Sequence, residues 1–181
     1  MAFLKIGERR RRDRIAHALY VTIIEQSRRP EFYVRHGVPD TLDGRFDLIV
    51  LHAFLVMRRL KGITSAGEEA RAISQALFDL MFDDMDQNLR EMGVGDMSVG
   101  KRVKQMARAF YGRVAAYEAA LGGDGMAGAL IRNLYGTVEA PPPPESPVAM
   151  AAYALQCAES LDGQDDSAIL SGRVTFAEVA G

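Results

Sequence analysis

The sequence predicts an all-α protein, and three observations carry that prediction. Apolar residues recur three and four apart through most of residues 15–135, the spacing of a helix with one buried face. Pro30, Gly62, Gly93 and the pair Gly122-Gly123 punctuate those runs, as helix stops do. Only Arg173-Val174-Thr175-Phe176 reads as extended, and a lone strand makes no sheet. The expected architecture is one bundle-like domain of about five to seven helices, with a C-terminal helix joined to it through prolines.

Asp13 is placed to cap a first helix through Ile15, Ala18, Leu19, Thr22, Ile23 and Gln26, which Pro30 stops. Phe32-Tyr33-Val34 makes a short amphipathic segment ending at Gly37, and Val38-Pro39-Asp40-Thr41 reads as a turn. Asp43 is the expected cap of the next helix. Phe46, Ile49, Val50, Ala53, Phe54, Val56, Met57 and Leu60 make that helix apolar around most of its circumference, which predicts a central position. Arg58, Arg59 and Lys61 suit the negative end of its dipole.

Thr64 or Ser65 opens a third long helix, buried through Ile73, Leu77, Leu80, Met81, Met85 and Leu89. Ser98 is expected to cap a fourth, carrying Val99, Val103, Met106, Phe110, Val114, Tyr117 and Leu121. Within it Gly112 costs about 1 kcal/mol relative to alanine, so a close helix–helix approach is expected there. A shorter helix follows through Ala127, Leu130, Ile131 and Leu134. The run Pro141–Pro144 predicts a semi-rigid polyproline spacer before a last helix over about residues 146–161. The expected division is a basic segment 1–14, a helical domain 15–138, a proline-rich linker 139–147, and a helix and tail 148–181.

Composition narrows the function. The 181 residues are 48% apolar and 25% charged with a formal net charge of −2, so no global field favours DNA or another polyanion. One cysteine, Cys157, excludes an internal disulfide framework and fits a reducing compartment. Ala2-Phe3-Leu4 is too short for a secretory signal and the arginines follow it, and no uncharged run approaches the roughly 18–20 residues that span a bilayer. The expectation is a cytoplasmic protein, at most peripheral at the inner face of the inner membrane.

No Gly-x-Ser-x-Gly, phosphate-binding glycine loop or Cys/His pair is readable, and His17, His36 and His52 lack metal-ligand spacing. No catalytic residue, metal or cofactor is therefore expected. Asp79, Asp83, Asp86 and Arg90 fall along one helix face. That stripe reads as a solvated face with an Asp86–Arg90 pair, or as a contact surface for a basic partner. An alternative is an isoprenoid-type enzyme holding magnesium at Asp79-x-x-x-Asp83, which needs a second acidic helix opposite. His52 reads as a packed, hydrogen-bonded histidine or as a polar handle in a binding groove. Methionines such as Met81, Met85 and Met106 are core filler, or an adaptable apolar surface. Arg9, Arg10, Arg11 and Arg12 read as a solvated end, or as a contact to ribosomal RNA or an anionic membrane surface by charge alone.

Three blocks in order carry a resemblance: Phe46-Asp47-Leu48-Ile49-Val50-Leu51-His52-Ala53-Phe54-Leu55-Val56, then Phe78-Asp79-Leu80-Met81-Phe82-Asp83-Asp84-Met85-Asp86 through Gly93, then Lys101 through Phe110-Tyr111-Gly112-Arg113 to Tyr117. With Pro30-Glu31-Phe32-Tyr33 before them, they make the chain similar to the ubiquinol–cytochrome c chaperone family, in a bacterial form. The resemblance covers roughly residues 15–135; the part from the prolines onward has no counterpart in it. It implies an all-α, non-enzymatic assembly factor of the cytochrome bc1 complex whose client is newly made cytochrome b, with no small-molecule substrate. Asp79, Asp83, Asp86, Arg90, Met81, Phe82, His52, Arg113 and Tyr117 are the candidate client-binding residues. The acidic face would receive basic loops, and Met81 and Phe82 an apolar segment. An unrelated helical interaction module is the remaining alternative.

Overall fold

The computed structural model describes residues 2–123, 125–137 and 142–179, with side chains from residue 6 onward. All regular structure among the described residues is helical: α1 (Ala2–Ser27), α2 (Pro30–Val34), α3 (Leu42–Gly62), α4 (Gly67–Glu91), α5 (Asp96–Leu121), α6 (Met126–Asn133), α7 (Glu145–Asp162) and α8 (Asp166–Ile169). The expected all-α architecture is the observed one. The segment around Arg173–Phe176 is irregular backbone, with no strand to pair with.

Helix α3 is the centre, packed against α1, α4, α5 and α7. Its apolar circumference explains this, since Leu48, Val50, Leu51, Ala53, Leu55, Val56 and Leu60 have no exposed surface and only a surrounded helix can bury all of them. α4 and α5 form an antiparallel hairpin, in which Phe78 meets Tyr111 and Phe110 while Arg90 reaches Asp96 near the turn.

Several expected helix starts are displaced. Thr41 caps α3, its hydroxyl accepting from the Gly44 amide at 3.2 Å, and Asp43 lies in the first turn. At Gly44 a Cβ would sit 2.1 Å from the Pro39 carbonyl oxygen, so the turn closes only on glycine. α4 starts at Gly67 and α5 at Asp96, so neither Ser65 nor Ser98 caps a helix. Gly112 does not mark a close approach: it is exposed and a Cβ there would meet nothing within 4 Å. Asp13 lies inside α1, as do Arg9–Arg12. These arginines are largely neutralised by local carboxylates, Arg9 by Asp13, Arg11 and Arg12 by Glu69, and Arg12 also by Glu8.

Pro141 lies outside the described residues. Pro144 leads directly into α7, which packs on α3 and α6. Buried Arg59 fastens this C-terminal part to α3. Its Nε donates to the Leu161 carbonyl at 2.7 Å, and its Nη2 to the Gln164 carbonyl at 2.7 Å and to Asp166 Oδ1 at 2.6 Å. A cation thereby adds to the carbonyls at and just beyond the end of α7. The tail beyond α8 is held by the Gln164 side-chain amide, which accepts from the Thr175 amide at 2.9 Å and donates to its carbonyl at 2.7 Å.

Candidate functional site

Two open grooves flank the outer ridge of α4, and Gln75 lines both. The first lies between α3, α4 and α5, with a volume of about 440 Å³. Its walls are Phe78, Phe110, Tyr111, Met57 and Val114. The aromatic rings meet at centroid distances of 5.3 Å, edge to face, for Phe78–Phe110 and 5.5 Å, tilted, for Phe78–Tyr111. Tyr111 remains 60% exposed, so a large aromatic face is offered to whatever enters. Arg58, Lys61 and Arg71 stand at the rim. Arg58 forms a two-pronged pair with Asp162 at 2.8 and 2.9 Å, and Lys61 pairs with Glu118 at 3.0 Å. The result is an apolar trough with a polar edge, the general form of a site for an apolar segment.

The second groove runs between α1 and α4 and holds about 710 Å³. Asp79 and Asp83 form one wall, while Arg9, Arg12, Asp13 and His17 face them from α1. Asp79 accepts from the Gln75 amide at 2.8 Å, and Asp83 is in no ion pair among the described residues. Asp86 is engaged elsewhere: Arg90 Nε reaches its Oδ2 at 2.6 Å and Arg90 Nη1 reaches Asp96 at 2.5 Å. The stripe read from the sequence is therefore split into an exposed acidic wall and a local charge cluster. The wall opposite Asp79 and Asp83 carries Arg9 and Arg12 with a single carboxylate, Asp13, itself paired with Arg9, and so lacks the second carboxylate set that a diphosphate–magnesium site requires. Among the described residues no group of three or more His, Cys, Asp or Glu side chains is gathered as a ligand set.

Of the remaining sequence candidates, Met81, Phe82, His52 and Tyr117 lie inside the protein, while Arg113 is half-buried at the edge of a further groove beside Phe46 and Met106. Met81 has no exposed surface and Phe82 almost none, so an apolar segment arriving from outside meets Phe78 and Tyr111 instead of these two. The helical phase explains this: Met81 follows Ile73 and Leu77 on the face turned to the core, and Phe78 sits on its edge.

His52 is wholly buried. Its Nδ1 lies 2.7 Å from the Leu48 carbonyl and 3.1 Å from Ser27 Oγ, and its Nε2 lies 2.8 Å from the Tyr153 hydroxyl. A neutral ring donating from Nδ1 to the Leu48 carbonyl and accepting the tyrosine proton at Nε2 satisfies both ring nitrogens. Gln26 donates to the same tyrosine oxygen at 2.8 Å, and Phe32, Tyr153 and Phe176 meet the imidazole edge-on. Burial holds the His52 pKa down to about 4, with the Leu48 carbonyl acting in the opposite direction. His52 thus knots α1, α3, α7 and the tail together.

Half-buried Arg113 and buried Tyr117 belong to a second cluster, around buried Asp47. Arg113 Nη2 lies 2.7 Å from Asp47 Oδ1, an ion pair whose approach is off the hydrogen-bonding direction. The guanidinium also sits 5.8 Å from the centre of the Phe46 ring, within cation–π range. Burial pushes the Asp47 carboxyl up to about 7, with Arg113 opposing it. The Tyr117 hydroxyl is buried without a hydrogen-bond partner among the described residues, and burial beside Asp47 raises its pKa.

The aromatic trough was not singled out from the sequence as a contact site, although Phe78 and Phe110-Tyr111 stand in the blocks that carry the family resemblance. The available signal was phase. Phe78 lies one step off the buried stripe of α4, and Tyr111 one step off that of α5, where aromatic rings are half-covered.

A family model described as ubiquinol-cytochrome C chaperone matches residues 34–176. The matched span reaches well past the prolines, so α7 and the tail do have counterparts, contrary to the narrower resemblance read from the sequence. The chain is similar to ubiquinol-cytochrome c reductase complex assembly factor 1 of Mus musculus and of Homo sapiens, each 27% identical over 161 residues. The alignments cover 87% of this chain and 53% and 52% of those proteins, so the chain spans about half the length of these two curated relatives. The Xenopus laevis assembly factor is 26% identical over 87% of this chain and 78% of its own. A crystal structure of the Cbp3 homolog from Brucella abortus superposes with a TM-score of 0.81 at 36% identity, covering 99% of this chain and 98% of that one.

Proposed function

The chain belongs to the ubiquinol-cytochrome C chaperone family, and on that premise we propose that it is an assembly chaperone of the cytochrome bc1 complex that holds newly made cytochrome b. The observation that carries the proposal is the exposed aromatic trough between α3, α4 and α5. A client built of membrane-spanning helices presents apolar segments that must be kept from one another in water, and its cytoplasmic loops are rich in Lys and Arg. The trough offers an apolar segment Phe78, Tyr111 and Met57. Across the α4 ridge, Asp79 and Asp83 offer a basic loop their carboxylates. One client segment lying over α4 would engage both. No chemistry on the client is required, because holding and release are binding equilibria.

A strain lacking the gene tests this through reduced-minus-oxidised haem spectra of its membranes. Selective loss of the b-type and c1-type signals of the complex is expected, restored by the intact gene. Phe78→Glu with Tyr111→Glu should fail to restore it, and Asp79→Lys with Asp83→Lys should restore it poorly, while both proteins stay helical and abundant. Normal spectra in the deletion strain would remove the assembly role.

A further inference from the structure

One face of α5 is occupied by neither the client grooves nor the core. Met97, Lys101, Lys104 and Arg108 follow one another at steps of four, three and four residues, so they form a single stripe along the helix. All four are exposed, and Met97 is 96% exposed. Met92, on the other side of the α4–α5 turn, is 63% exposed. Lys101, Lys104 and Arg108 are in no ion pair among the described residues. Asp96, the nearest acidic residue of the turn, is taken by Arg90. The stripe runs on to Tyr111, three residues further, at the mouth of the aromatic trough.

We infer that this face of α5 docks the protein on an anionic lipid bilayer, with the methionine-bearing α4–α5 turn entering the headgroup region. Charge complementarity supplies the attraction, because three unneutralised cations on one helix face match a negatively charged leaflet. The exposed methionines decide between polyanions. Nucleic acid presents phosphates to such a stripe but no continuous apolar phase for Met92 and Met97, whereas the acyl boundary of a bilayer does. The N-terminal arginines are less suited, since Arg9, Arg11 and Arg12 already face carboxylates. Docked this way, the protein would hold the trough, through Tyr111, beside the membrane surface.

Flotation of the purified full chain with vesicles tests the inference without any client. Binding is expected to vesicles of phosphatidylcholine with 30% phosphatidylglycerol, and not to phosphatidylcholine alone. Each cation removed should weaken binding roughly fivefold, so Lys101→Glu, Lys104→Glu and Arg108→Glu together should abolish flotation. Met97→Ser should weaken it roughly tenfold. Circular dichroism confirms that the variants are folded. Equal binding to both vesicle types, no binding to either, or full binding by the triple variant would overturn the inference. So would an unaltered Met97→Ser protein, which would leave only a charge contact of the kind nucleic acid satisfies. Loss through Arg10→Gln and Arg14→Gln instead would move the contact to α1.

Discussion

His52 is a polar residue whose environment, more than its chemistry, sets its role. Burial holds its pKa at about 4, against about 6.5 in an unfolded chain. Between those values the unfolded chain binds more protons than the folded one. The stabilisation is therefore complete above pH 6.5 and is lost as pH falls through about 4, an effect of about 3 kcal/mol. Asp47 acts in the opposite sense. Its carboxyl is raised to about 7, so its contribution is complete below the ordinary aspartate pKa of about 3.9 and is lost as pH rises through 7. The two groups mask each other in the wild-type protein. Comparing His52→Gln with wild type by urea unfolding isolates the histidine: the stability advantage of wild type should shrink by most of that amount between pH 7 and pH 4. A gap that stays constant with pH would show that His52 does not titrate differently on folding. The packed-histidine reading was available from the sequence because His52 sits in an apolar run. The burial of Asp47 was not, because its position in the first turns of a helix equally suits a solvated dipole partner, and only the docking of α5 places Arg113 over it.

At the scale of elements, the apolar periodicities located the long helices and the centrality of α3, while their ends were less legible. Caps failed at Asp43 and Ser98 because a side chain that suits a cap is also common in the first turn, and the choice rests on backbone geometry such as the Gly44–Pro39 contact. The short helix α8 was invisible in the pattern, since four residues carry no period; Asp165 caps it through the Ser167 and Ala168 amides. Gly112 gives an element-scale test. It faces open space inside α5, so Gly112→Ala should stabilise the protein by about 1 kcal/mol and raise Tm by about 2–4 °C. A destabilised variant would mean that the helix needs the glycine for an approach absent from this structure.

At the scale of the molecule, function depends on what the packing of helices leaves open. The sequence blocks that resemble the family contain both core and surface residues, and periodicity alone does not say which aromatic side chains on a stripe's edge end up covered. Met81 and Phe82 were expected at the client surface and lie in the core, whereas Phe78 and Tyr111 wall the trough. Asp79 and Asp83 do lie at the surface, because α1 crosses α4 and leaves an acidic wall open beside the crossing. The C-terminal helix, set apart in the sequence by its prolines, is tied into the same core through Arg59 and Tyr153. The trough, acidic wall and cationic stripe are therefore built on the adjoining helices α1, α4 and α5 around one core. The most direct test of the trough as a client-binding surface is site-specific photo-crosslinking in cells synthesising cytochrome b. A photoreactive residue at Tyr111 should yield an adduct containing newly made cytochrome b, and one at exposed Val148 on α7 should not. Adducts of cytochrome b at Val148 with none at Tyr111 would contradict the account.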